Sequence, residues 1–156
     1  MVLQPGNAAN RQWTGNCEYL FNTTAKMIYT FQREPISGLI LVDILIDGMY
    51  DFKMMLDTGA SFTTFDLNPL YFSRYPVGHI LETGTVETAS GKMEVDIIET
   101  KSISALGHTV RGMKVQMYDF FKHGIISEYD GLLGLDFFEN TEFRINMKNQ
   151  TIEVFG

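Results

Sequence analysis

The chain has 156 residues, 45% of them hydrophobic and 20% charged, which suits one domain with its own core. One cysteine, Cys17, excludes a disulfide scaffold, and 19 acids against 12 bases (net charge −7) exclude a simple nucleic-acid binder. No apolar run approaches the ~18 residues of a membrane-spanning helix, and the length allows one β-barrel-sized lobe rather than two.

Residues 1–32 read as an N-terminal extension or arm. Residues 4–16 are polar and turn-rich, and Met27 to Phe31 supplies one candidate strand. The first seven residues have neither a basic n-region nor an apolar h-region, so no signal peptide is expected. The compartment stays open between cytoplasmic and exported.

Residues 33–156 form the domain proper. Leu39 to Ile46 is an apolar strand, Asp47-Gly48 signals a two-residue hairpin turn, and Tyr50 to Leu56 returns. Asp66 to Phe72 predicts a short helix, with Asn68 as cap and Pro69 at the first helical position. Gly84–Thr88 and Lys92–Ile98 flank Ala89-Ser90-Gly91 as a second hairpin. Val110, Met113, Val115 and Met117 include an alternating run. Leu135 to Asn140 predicts a second short helix. Phe143–Met147 and Ile152–Val154 form a C-terminal hairpin. Short strands at this spacing predict an all-β fold, a small closed or half-closed barrel with one or two short helices.

One constellation carries chemistry. Asp57-Thr58-Gly59-Ala60 follows directly on an apolar strand, and Gly59 permits a turn that other residues resist. Further along, Asp130-Gly131-Leu132-Leu133-Gly134-Leu135-Asp136-Phe137-Phe138 puts two leucines and a glycine before a short apolar helix. Peptide hydrolysis without a metal or a nucleophilic side chain needs a water made nucleophilic and a carbonyl made electrophilic. Two carboxylates sharing one proton supply both.

These two motifs, in this order, resemble those of the retropepsin-like aspartic proteases, with the bacterial branch nearest. Met55-Leu56-Asp57-Thr58-Gly59-Ala60 matches the first family motif and Leu132-Leu133-Gly134 the second. The resemblance covers roughly residues 35–156 and implies a closed barrel of retropepsin type. It implies catalytic roles for Asp57, Thr58 and Gly59. It also implies substrate contacts from Ala60 and from a flap at Thr88, Ala89, Ser90 and Gly91, with Leu132, Leu133 and Gly134 supporting the site. The chain has one Asp-Thr-Gly where a dyad needs two such loops. The expectation is therefore a C2 homodimer with Asp57 from each copy at the axis. A peptide or protein is the expected substrate, with no cofactor, metal, nucleic acid or membrane span. The alternative is a retropepsin-like dimerising, peptide-binding module with little or no proteolysis. A third reading is a plain β-barrel interaction protein in which Asp57 only ends a strand.

Other signals are weaker. His79, His108 and His123 lack metal-ligand spacing. Ser61 has no nucleophile elbow around it. Gly131 and Gly134 precede no helix long enough for a dinucleotide fingerprint.

Overall fold

The computed structural model describes residues 26–88 and 91–155. Cys17, Ala89 and Ser90 lie outside the described residues, as does the polar part of the extension. The strands in chain order are β1 (Lys26–Thr30), β2 (Leu41–Ile46), β3 (Tyr50–Leu56), β4 (Thr64–Asp66), β5 (Glu82–Thr88) and β6 (Gly91–Glu99). They continue with β7 (Ser102–Ala105), β8 (His108–Arg111), β9 (Lys114–Tyr118), β10 (Gly131–Leu133), β11 (Glu142–Asn146) and β12 (Thr151–Phe155). An α-helix, α1 (Leu67–Phe72), follows β4, and short 3-10 helices span Phe121–His123 and Leu135–Phe138.

The strands form two sheets. One has nine strands in the order β5-β6-β9-β4-β10-β3-β2-β7-β8, the other three in the order β1-β12-β11. This corrects the barrel expectation: the fold is mostly β, but its sheets are not closed. The terminal strands pair with one another instead of bridging β5 to β8, so both edges of the large sheet stay open among the described residues. The two sheets share one apolar core. Val42, Ile44, Met54, Phe65 and Leu133 from the large sheet pack with Ile152 and Val154 from the small one. Alternation places these side chains: along β2 the buried positions are Val42, Ile44 and Ile46, with Asp43 exposed between.

The first hairpin forms at Asp47-Gly48, whose φ values of 53° and 69° are those a type I′ turn requires. Ile46 pairs with Tyr50, so Met49 is an added residue in the turn. Asp47 also works at a distance. Its carboxylate accepts from the Ser102 N–H at 3.0 Å and the Tyr75 hydroxyl at 3.2 Å.

Helix α1 begins two residues earlier than Asn68-Pro69 suggests. Asp66, not Asn68, is the cap, and its side chain accepts the Asn68 N–H at 3.3 Å. Pro69 therefore sits third in the helix, still within the turn whose N–H groups have no intrahelical partner. The second predicted helix is a 3-10 turn that ends at Phe138 rather than Asn140. Asn140 takes a positive φ of 66° and turns the chain into β11.

Candidate active site

β3 delivers Asp57 to the edge of a cleft, and β10 holds it there. The two strands run parallel, with Leu132 beside Met55 and Leu133 beside Leu56, and the Asp57 N–H donates to the Leu133 carbonyl at 3.1 Å. The two sequence motifs are thus hydrogen-bonded neighbours. The Ala60 N–H returns to the Asp57 carbonyl at 3.1 Å, which closes the loop, and the Gly59 N–H donates to Asp57 Oδ1 at 2.8 Å. A side chain at Gly59 would start 3.2 Å from that carboxylate oxygen. Thr58 is exposed, and its hydroxyl has no hydrogen-bond partner among the described residues.

The loop continues into a buried lock that the motif reading did not single out. The Asp136 carboxylate accepts the Thr63 N–H at 2.8–2.9 Å and the Thr63 hydroxyl at 2.8 Å. The same hydroxyl accepts the Gly134 N–H at 3.1 Å. Thr63 is fully buried. Burial raises the Asp136 carboxyl above its ordinary range, while the bonds from Thr63 and the Phe137 N–H oppose that shift. Gly134 is required by close approach, since a Cβ there would lie 2.6 Å from the Phe62 carbonyl carbon and 2.9 Å from the Thr63 nitrogen. The Leu135 N–H reaches the Ala60 carbonyl at 2.9 Å. Leu133 is fully buried under the loop, and Leu132 faces the cleft.

The cleft measures about 660 Å³. Asp57, Gly59, Ala60, Ser61 and Phe62 line one side, and Val86, Glu87, Thr88 and Met93 of the β5–β6 hairpin line the other. Thr88 pairs with Gly91 at the last described rung, and its hydroxyl bonds the Gly91 carbonyl at 2.9 Å. Gly91 has a φ of 125°, a conformation side-chain-bearing residues avoid. The hairpin and the Asp57 loop therefore face one space, although about thirty residues separate them in sequence. Two phenols border this region without any motif to announce them. Burial raises Tyr129, and the charge of Asp57 raises it further. Tyr118, which lines the cleft, is raised by burial and then by Tyr129 and Asp66. A second cleft of similar volume lies between residues 29–35 and the β2–β3 face and contains none of the motif residues.

Among the described residues no cluster of three or more His, Cys, Asp or Glu side chains could hold a metal ion. His108 packs edge-on against Phe137, and His123 against Tyr118. No described helix is long and apolar enough to cross a membrane.

A family model described as "Aspartyl protease" matches residues 42–137, a stretch that contains both motifs and the hairpin between them. No curated protein matches the chain. Among solved structures, the chain is similar to the crystal structure of a retropepsin-like aspartic protease from Rickettsia conorii. The TM-score is 0.60 and the identity 19%, over 85% of this chain and 92% of that one.

Proposed function

The chain belongs to the aspartyl protease family and has a retropepsin-like fold, and from that premise we propose that it is an aspartic endopeptidase active as a homodimer. The observation that carries the reading is the setting of Asp57. It lines the cleft with the Gly59 amide on its carboxylate, and the sequence has no second Asp-Thr-Gly. The second carboxyl then comes from a second copy across a two-fold axis.

In that dimer the pair shares one proton, because like charges about 3 Å apart do not both ionise cheaply. The ionised Asp57 takes a proton from water as its oxygen bonds to the peptide carbonyl carbon. The protonated Asp57 gives its proton to the carbonyl oxygen. The resulting diol collapses, the C–N bond breaks, and the leaving amine collects a proton from the dyad. The Gly59 amide steadies the carboxylate, and the exposed Thr58 hydroxyl is free to bond backbone across the axis. The β5–β6 hairpin acts as a flap with Ala89 and Ser90 at its tip. It shields the dyad from water and, with Ala60 and Gly91, holds an extended peptide by strand addition. Leu132, Leu133 and Gly134 support the loop from below. Residues 1–32 act as an extension to the 33–156 domain.

A peptide-library digest tests the reading. Wild type should cleave, and Asp57→Asn should not, with an unchanged circular dichroism spectrum. A pepstatin-type inhibitor should block the wild type. Cleavage retained by Asp57→Asn would end the proposal, and binding without cleavage by wild type would favour a peptide-binding module.

A further inference from the structure

Building on that reading, we propose that the cleft continues into a second hollow that binds an aromatic, basic-flanked segment of the substrate away from the scissile bond. Ile125 joins the two spaces. It lines the cleft with Asp57, and it also lines a hollow of about 390 Å³ between α1 and the segment 121–127. Large apolar side chains stand out on the walls of that hollow, beside the polar Asp66, Asn68 and Ser127. Phe72 is 80% exposed, Phe121 73% and Ile126 88%, and Tyr71 stands edge-on to Phe72. Scattered exposed hydrophobics need no explanation, but a cluster of large ones marks a binding surface.

The platform under these side chains is fixed. Asp66 Oδ1 accepts the Asn68 N–H at the start of α1 and the Phe120 N–H at 3.1 Å, so one carboxylate ties both walls together. The Ile125 and His123 N–H groups close back onto the Phe120 carbonyl at 2.9 and 3.0 Å. These bonds fix the backbone that carries Phe72, Phe121 and Ile125, so the two walls need little reorganisation on binding.

Charge selects the occupant. Asp66 lines the hollow, and Asp119, bonded to the Asn68 side-chain amide at 2.8 Å, lies beside it with Lys122 near. The two carboxylates favour a basic peptide over an acidic one. Continuity through Ile125 makes that peptide the substrate itself, extended at ~3.3 Å per residue from the cleft.

Two fluorescein-labelled peptides test the proposal. One has a central Leu-Phe with apolar neighbours; the other adds alternating Phe and Lys on both sides. Binding is measured by anisotropy on Asp57→Asn, so the result does not depend on turnover. The extended peptide should bind about tenfold more tightly than the short one. The Phe72→Ser/Phe121→Ser variant, made in the same background, should lose that advantage while its affinity for the short peptide stays unchanged. In active enzyme the same pair of substitutions should raise KM for the extended peptide and leave kcat alone. Equal binding of the two peptides would overturn the proposal, whether the hollow is empty or filled by the chain's own first residues. So would a drop in oligomeric mass in the double variant, which would make the hollow an interface between copies. If wild type cleaves neither peptide, the protease reading fails, and the binding comparison still decides the hollow.

Discussion

At the scale of single residues, a small set of backbone contacts fixes Asp57, and the lock beneath it is as informative as the acid itself. The Thr63 hydroxyl donates to Asp136 and accepts from Gly134, so the loop and the 3-10 turn share one oxygen. Thr63→Val removes that oxygen and leaves the buried Gly134 N–H without its partner, while Asp136 keeps its backbone donors. The variant should lose about 1–3 kcal/mol of stability, read as a lower urea midpoint. Asp136 adds a pH signature. Its folded-state carboxyl titrates above the ordinary Asp value, so between those two values the native chain keeps a proton that the unfolded chain has released. The contribution of this group therefore favours folding on the acid side and is lost as pH rises through the window. Stability measured against Asp136→Asn should shift in favour of wild type on acidification through that range, and a flat difference would contradict the assignment. Asp57 was legible in the sequence because its motif is contiguous. The bond between Thr63 and Asp136 was not, because it spans 73 residues: Asp136 stands inside the second motif, but nothing local pairs it with Thr63.

At the scale of elements, turns and long strands were legible and short strands were not. The Asp47-Gly48 turn, the β5–β6 pair and the C-terminal hairpin follow from alternation and turn chemistry. β4 has three residues and β10 three. Each is a strand because of its neighbours, β10 lying parallel to β3 and antiparallel to β4, and pairing of that kind leaves no period to read. Asp66 shows the same limit. Asn68-Pro69 looks like a helix start, but the carboxylate of Asp66 reaches both Asn68 and Phe120, and that tertiary bond decides the cap. Asp66→Ala should cost about 1–2 kcal/mol in chemical denaturation. In the hairpin, Gly91→Val forces a branched side chain into a φ of 125°. Strain of about 1–3 kcal/mol there should lower kcat/KM for peptides while far-UV circular dichroism stays unchanged, since no Cβ contact is at stake.

At the scale of the whole molecule, the closed barrel drawn from strand spacing did not form. Alternation reports which face of a strand is buried, not whether the last strand meets the first. Here the first and last described strands, β1 and β12, build a sheet with β11, and the large sheet stays open among the described residues. The sequence holds one Asp-Thr-Gly, and a one-carboxyl site gives the proposed chemistry nothing to share a proton with. The account therefore makes function a property of two copies. Activity should rise more steeply than linearly with protomer concentration near the dimer dissociation constant. Its pH profile should be bell-shaped, belonging to the coupled pair rather than to either carboxyl.

Subunit mixing tests the two-copy site most directly. Wild type and Asp57→Asn are combined at fixed total concentration, exchanged to equilibrium and assayed for peptide cleavage. If each site needs an Asp57 from both copies, activity falls as the square of the wild-type fraction. A linear fall would mean that each chain works alone, and the shared-dyad account would be wrong.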